Sequence, residues 1–170
     1  AYHQHNEHQV LERLVEQIGA GTTMALITDA GTPGISDPGF LLVRACLRAG
    51  IEVECLPGPT AFVPALVSSG FPVNRFVFEG FLPLKKGRAT LMQSWKEETR
   101  AIVFYESPHR LLRTLKDLQQ HLGDMREVCI CRELSKKFEE KISGSLSALL
   151  PRVEEKALKG EMVLVIKGVE

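Results

Sequence analysis

Two short apolar runs, each followed by a glycine–proline loop and then by a helical pattern, constrain this chain more than any other feature. "MALIT" (24–28) leads into "DAGTPGISDPG" (29–39), and "IEVECL" (51–56) leads into "PGPTA" (57–61). A strand, a tight loop and a helix, twice in succession, reads as a parallel α/β unit with its loops at the carboxyl ends of the strands. The first loop is longer than the four residues a reversal needs. It fits either an elaborate helix start or a backbone cradle for a ligand. The second loop of the same composition favours the cradle, because two such loops at neighbouring strand ends enclose one concave site.

The remainder of the chain alternates in the same way. Val10, Leu11, Leu14, Val15 and Ile18 recur at helical spacing before Gly19 and Gly21. Ser36 or Asp37 is placed to cap the next helix, with Pro38 at its first position and Gly50 beyond its end. "FPVNRFVFEGFLPLKKG" (71–87) breaks the rhythm with three aromatics on one short strand and prolines on both sides, so the expected domains are 1–74 and 75–170. Beyond it the expectation is a helix over "RATLMQSWKEET" (88–99), a strand over "RAIVFYES" (100–107) and a helix over "SPHRLLRTLKDLQQHLG" (107–123). Strands over "REVCICREL" (126–134) and "FEEKISGSL" (138–146) follow, then a helix broken at Pro151 and a last strand over "EMVLVIK" (161–167).

Twenty-one basic and twenty-one acidic side chains cancel, so no global field draws the chain to nucleic acid or membrane, and any such contact rests on local patches. No apolar run approaches ~18 residues, so the expectation is a soluble, cytoplasmic protein. Cys46, Cys55, Cys129 and Cys131 lie in apolar surroundings without a CxxC and read as buried thiols of a reducing compartment. His3, His5 and His8 are read as a polar lead into a helix and not as a metal site. The chain opens without methionine and closes on a strand, and is expected to be a fragment of a longer protein.

Two further segments carry chemistry. In "YESPHR" (105–110) Ser107 and Pro108 suit a helix start, but a cation at Arg110 opposes the helix dipole and reads as functional. "CRELSKKFEE" (131–140) mixes both charge signs after a buried strand, as a solvated loop or as the rim of a cleft.

"ITDAGTPGISDPG", "LPGPTAFVPALVSSGFP", "FEGFLP", "FYESPHRL", "CRELSKKFEE" and "GEMVLVI" occur in that order. Together they resemble the ribosomal small-subunit RNA methyltransferase I family of the tetrapyrrole methylase superfamily, over nearly the whole chain. The resemblance implies two α/β subdomains with S-adenosylmethionine in the cleft between them, in a homodimer. It also implies methylation of a cytidine ribose 2′-oxygen in 16S rRNA of the small ribosomal subunit. The family's first strand and its loop are missing ahead of the histidine segment, so the N-terminal subdomain is expected to be incomplete and the fragment catalytically poor. Within that reading Asp29, Gly31, Thr32, Ile35, Thr60 and Ala61 are expected to hold the cofactor, joined by Ser107 and Leu134. Glu106 is the expected general base, and Arg110, Arg132, Lys85 and Lys86 are expected to meet RNA phosphates. Two rivals stand beside it, a methyltransferase of small tetrapyrroles and a non-catalytic RNA-binding module of ribosome assembly.

Overall fold

In the computed structural model, which describes residues 2–170, the chain divides into two compact units, one ending at Thr60 and one running Ala61–Glu170. The smaller is built on two helices. Helix α1 (Glu7–Gly19) opens from a turn in which the Asn6 and Glu7 amides donate to the His3 carbonyl. The Glu7 carboxylate complements the positive end of its dipole. Its five periodic apolar residues are half-buried, and it packs on α2 (Phe40–Arg48). Helix α2 begins two residues later than Pro38, and no side chain caps it. The Asp37 carboxylate accepts instead from the Thr28 hydroxyl at 3.0 Å. The chain needs glycine at position 39, where a Cβ would stand 3.1 Å from the Gly34 nitrogen and 3.1 Å from Leu26 Cδ2.

The strands expected over 24–28 and 51–56 do not form in this structure. A strand exists through its ladder, and neither segment pairs with another among the described residues. Ile27 is 85% exposed and Leu56 71%, so the apolar side chains that suggested buried strands face solvent here.

The larger unit is a five-stranded mixed sheet with four helices. In chain order these are α3 (Phe62–Ser69), β1 (Phe76–Phe81), α4 (Arg88–Ser94), β2 (Ala101–Glu106), α5 (Leu111–Leu122), β3 (Glu127–Arg132), β4 (Glu140–Ser145), α6 (Leu146–Glu155) and β5 (Met162–Ile166). The strand order is β1-β2-β5-β3-β4, with β1 parallel to β2 and every other neighbour antiparallel. The parallel pair that forms is β1–β2, with α4 in its crossover; the one expected over the first half of the chain is absent among the described residues. Helix α3 belongs to this unit because Phe62 stacks on Phe78 of β1 at 4.6 Å and Ala65 and Leu66 are buried on the sheet. That packing sets the division at Thr60/Ala61, ahead of the 74/75 boundary read from composition.

Strict alternation gives the sheet two covered faces. Ile102, Phe104, Val128, Ile130, Leu164 and Ile166 point to one, where Leu111, Leu115 and Leu118 of α5 and Leu146 and Leu149 of α6 close the larger core. Val103, Cys129, Cys131, Val163 and Val165 point to the other, under α3. Cys129 and Cys131 are thus core residues whose sulfurs lie 3.6 Å apart, and Cys46 is also buried, but Cys55 is exposed, against expectation. Pro151 does not break α6, which runs on to Glu155. The Ser145 hydroxyl caps it at the Ala148 amide, and buried Leu146, Leu149, Leu150 and Val153 pin both sides of the proline. Among the described residues no helix is long and apolar enough to cross a membrane.

Phe104 is fully buried and stacks on Trp95 with centroids 5.9 Å apart. Phe104→Ala should cost about 3–5 kcal/mol of unfolding free energy, since the cavity would lie in rigid sheet. Urea unfolding followed by the emission of Trp95, the single tryptophan, measures it; a loss below about 1 kcal/mol would contradict this packing.

Candidate functional site

In the smaller unit the two glycine–proline loops meet. The Thr32 hydroxyl donates to the Pro59 carbonyl at 3.0 Å, and Gly58 faces the Thr32 oxygen so closely that a Cβ there would sit 3.3 Å from it. Gly31 takes the left-handed conformation (φ 79°), with only the Pro59 oxygen, at 3.7 Å, near the place of a Cβ. Asp29, Gly31 and Ile35 are exposed and Thr32 and Thr60 half-buried, so five of the expected cofactor residues lie on these two laced loops or beside them. A separate concavity of about 420 Å³ in this unit is lined by His8, Ser36, Asp37 and Phe40 among others, and none of those five residues lines it. Among the described residues no group of three or more His, Cys, Asp or Glu is placed to hold a metal ion.

In the larger unit the remaining expected residues other than Ala61 gather at one end of the sheet. Glu106, Met162, Arg132 and Glu140 are register partners in one row across β2, β5, β3 and β4. The segments leaving that row are Ser107–Arg110, after β2, and 133–139, after β3. The connection after β1, carrying Lys85 and Lys86, leaves the same end because β1 runs parallel to β2. Ala61, at the N-terminal end of α3, is exposed, and Leu134 packs at the margin of the α3-side core.

The structure gives Glu106 a different character from that expected. Its side chain is wholly buried. Oε1 accepts from the Ser107 amide at 2.7 Å and faces Arg110 Nε at 3.3 Å, and Oε2 accepts from the Thr114 hydroxyl at 2.5 Å. Arg88, almost fully buried, donates to the Thr114 hydroxyl at 2.8 Å, to Asp117 at 2.8 Å and to the Pro83 carbonyl at 3.3 Å. A carboxylate enclosed in this way holds the surrounding chain in place and lacks the solvent access of a general base. Ser107 caps nothing, because α5 starts at Leu111 after a turn closed on the Ser107 carbonyl.

Arg110 is likewise a clamp, bonded to Glu106 and through a terminal nitrogen to the Leu82 carbonyl at 2.9 Å. The unfavourable dipole position is offset by a buried carboxylate one turn away. Arg132 is engaged too, with Glu140 at 2.6 Å and the Lys159 carbonyl at 3.3 Å. Lys85 and Lys86 are exposed and have no carboxylate partner among the described residues, so the four expected RNA contacts fall into two paired and two unpaired cations. Beside the row, the Glu161 amide and then Lys136 hold the Glu133 carboxyl below its usual range, while Glu161 and Glu133 raise the Lys136 ammonium.

Arg88, Thr114 and Asp117 were not foreseen. One signal was available: Thr114 lies between Leu111, Leu115 and Leu118 on the apolar stripe of α5, where a hydroxyl needs a buried partner.

The chain matches the family model for Tetrapyrrole (Corrin/Porphyrin) Methylases over residues 2–150. It belongs to that family. Within the family it is 44% identical over 170 residues to Ribosomal RNA small subunit methyltransferase I of Thermotoga maritima, covering 100% of this chain and 76% of that protein. The chain accordingly belongs to the ribosomal RNA small subunit methyltransferase I branch. It is 50% identical over 169 residues to the Synechocystis sp. protein of the same name, covering 99% of this chain and 61% of that one. It is 47% identical over 171 residues to the Escherichia coli O157:H7 protein, covering 99% and 60%. The chain thus spans about three fifths of the length of the Synechocystis and Escherichia coli relatives. Among solved structures, the methyltransferase CobJ superposes with a TM-score of 0.69 at 20% identity, covering 94% of this chain and 70% of that one. Uroporphyrin-III C-methyltransferase from Thermus thermophilus, complexed with S-adenosylhomocysteine, superposes at 0.62 and 20% identity, covering 96% and 73%. These likenesses confirm the α/β fold of the family.

Breaking the clamp from its cationic side leaves a buried carboxylate one partner short, so Arg110→Ala should cost about 3 kcal/mol of stability. Arg110→Lys should recover only part, because an ammonium cannot span Glu106 and the Leu82 carbonyl as the guanidinium fork does. Urea melts of the two variants decide it, and an alanine variant as stable as the parent would show that the clamp does not form.

Proposed function

We propose that this chain works as an S-adenosylmethionine-dependent methyltransferase acting on the ribose 2′-oxygen of a cytidine in 16S rRNA, as a cytoplasmic homodimer. One observation carries the reading: identity to proteins named Ribosomal RNA small subunit methyltransferase I stays between 44% and 50% over nearly the whole chain. Identity to CobJ and to the Thermus thermophilus uroporphyrin-III C-methyltransferase is 20%.

The residues of the smaller unit fit the cofactor. An adenosyl group is uncharged and needs close approach to backbone, which the left-handed Gly31 and the small residues around the Thr32–Pro59 bond permit. The exposed Asp29 carboxylate is suited to accept from ribose hydroxyls. When bound, S-adenosylmethionine supplies an electrophilic methyl group on a sulfonium. The chain's own contribution is positioning, which governs an in-line transfer of this kind. Glu106 is assigned to holding Ser107 and Arg110 in place rather than to taking the hydroxyl proton. Lys85 and Lys86 are assigned to RNA phosphates ahead of Arg110 and Arg132, because neither ammonium is neutralised by a carboxylate among the described residues.

The test is transfer of a tritiated methyl group from S-adenosylmethionine to isolated small ribosomal subunits, followed by nucleoside analysis. Label in 2′-O-methylcytidine is expected; label in a tetrapyrrole and none in RNA would overturn the assignment.

Gly31→Val should weaken S-adenosylmethionine binding tenfold or more in calorimetry. The left-handed backbone should cost about 1–2 kcal/mol of stability, well short of unfolding. Unchanged affinity would remove the cofactor from this loop. For the RNA, removing one phosphate contact to a single strand lowers the slope of log affinity against log salt by about 0.7. Lys85→Ala and Lys86→Ala should each flatten the slope by about that amount, and a double variant with the parental slope would place the RNA elsewhere.

A further inference from the structure

The β3–β4 connection, 133–139, is built far more rigidly than a reversal requires. Glu133 and Glu161 are bonded reciprocally, the Glu133 amide to the Glu161 carbonyl at 2.9 Å and the Glu161 amide to Glu133 Oε1 at 2.9 Å. Lys136 bridges the two carboxylates at 3.2 and 2.7 Å. The Ser135 amide donates to Glu139 Oε2 at 2.6 Å, and the Lys136 and Glu139 amides close successive turns on Glu133 and Lys136. Among the described residues three non-glycine residues have positive φ, and two of them, Glu133 (50°) and Ser135 (60°), are in this connection. Backbone strain of that kind persists only where the surrounding structure enforces it, and it gathers at functional sites.

What the braced loop presents is Phe138. Its side chain is 64% exposed, and the Lys137 ammonium lies 5.6 Å from its ring centroid. Lys136 is neutralised by Glu133 and Glu161, Lys141 by Glu139 at 3.0 Å, and Arg132 by Glu140. Lys137 is the cation of this group with no carboxylate partner among the described residues. Single exposed apolar side chains are ordinary. Here the exposed ring is held on a strained platform with an uncommitted cation beside it.

The loop leaves the row that contains Glu106. Arg132, its last strand residue, is two strands from Glu106, about 10 Å at ordinary strand spacing. A partner protein would need apolar neighbours around the ring to exclude water. Those neighbours are instead the exposed, charged Lys136, Lys137 and Glu139. A single flat ring flanked by charge suits one nucleobase, whose face stacks on an aromatic side chain while its phosphate meets a cation.

We propose that Phe138 is a base-stacking residue for single-stranded RNA, taking the face of an unpaired nucleotide of the substrate, with Lys137 beside the adjoining phosphate. The inference rests on the reading of RNA as substrate.

The experiment compares the full chain with Phe138→Ala, Phe138→Leu and Phe138→Trp, binding a short mixed-sequence oligoribonucleotide and isolated small ribosomal subunits across a salt series. Phe138→Ala should weaken binding roughly 5- to 100-fold, the usual range for one lost stacking contact. The salt slope should be unchanged, since stacking releases no counterions. Phe138→Leu should bind as weakly as the alanine variant, and Phe138→Trp should retain affinity and lose indole emission when RNA is added. Circular dichroism melts identify any variant whose loss is merely of fold. If the parent binds RNA and Phe138→Ala or Phe138→Leu binds equally well, the stacking proposal fails while the RNA reading stands. If the parent binds neither probe at any salt, the RNA reading fails and takes the proposal with it. Loss of self-association in Phe138→Ala with unchanged RNA affinity would make the ring a protein contact and overturn the proposal.

Discussion

The Glu106 carboxylate ends the interior strand β2 with no exposure to solvent, and a charge removed from water must be surrounded by donors or it unfolds its surroundings. Meeting that requirement organises the end of the sheet. Thr114 brings α5 onto the strand, Arg88 ties α4 to the same hydroxyl and to Asp117, and Arg110 reaches the carbonyl that follows β1. Four elements converge on one buried anion and its network. An apolar replacement could be equally stable, since buried ion pairs seldom improve on good hydrophobic packing. What the polar network adds here is directionality: hydrogen bonds have fixed donors and angles, so they set the path of the chain at 107–110 where packing alone would allow alternatives.

The sheet behind this anchor is held by a simpler device. Every second residue of β2, β3 and β5 goes to the α5–α6 side and the others to the α3 side, and nearly all are buried. Because the side-chain period is two, a slip by one residue would exchange the faces, placing Phe104 against α3 and Val103 against Trp95. The volumes on the two sides differ, with Phe104, Ile102, Ile130 and Leu164 on one and Ala101, Val103, Cys129 and Cys131 on the other. Register is therefore fixed by size as well as by burial. It is this register that aligns Glu106, Met162, Arg132 and Glu140 in one row and delivers the loops to one end.

Much of this was legible in the chain because period and composition report on burial. The five strands and four helices of the larger unit were all expected, with boundaries off by a few residues. Longer departures have identifiable causes. Arg88–Ser94 is shorter than its apolar pattern, and α5 starts at Leu111 because Ser107–Arg110 is spent on the turn that the Glu106 oxygen organises. The two segments read as strands in the smaller unit show the limit of the method. Alternation and apolarity describe a residue's suitability for a ladder, while the ladder itself depends on a neighbour that local sequence does not contain. The burial of Glu106 was hidden in the sequence for a related reason. Sequence alone shows a glutamate at a strand end, and only the positions of Thr114 and Arg110, eight and four residues on, show that its oxygens are engaged.

The same pairing resolves how a chain with no net charge can present a cationic track. Basic and acidic residues are equal in number, and at this end of the sheet most cations are cancelled locally: Arg110, Arg132, Lys136 and Lys141 each have a carboxylate within 3.3 Å. A phosphate approaching one of them would compete with a partner already in place. Lys85, Lys86 and Lys137 have no such partner among the described residues, and their fields act over roughly a Debye length, about 8 Å at physiological ionic strength. They stand at the two flanks of the row, the first two after β1 and the third between β3 and β4. At ordinary strand spacing β1 and β4 are about 19 Å apart, further than two such fields overlap. On the RNA reading proposed above, two separated cationic points of this kind would hold a strand by its phosphates at each end. The stretch between the two points would then be held by shape and stacking rather than by charge.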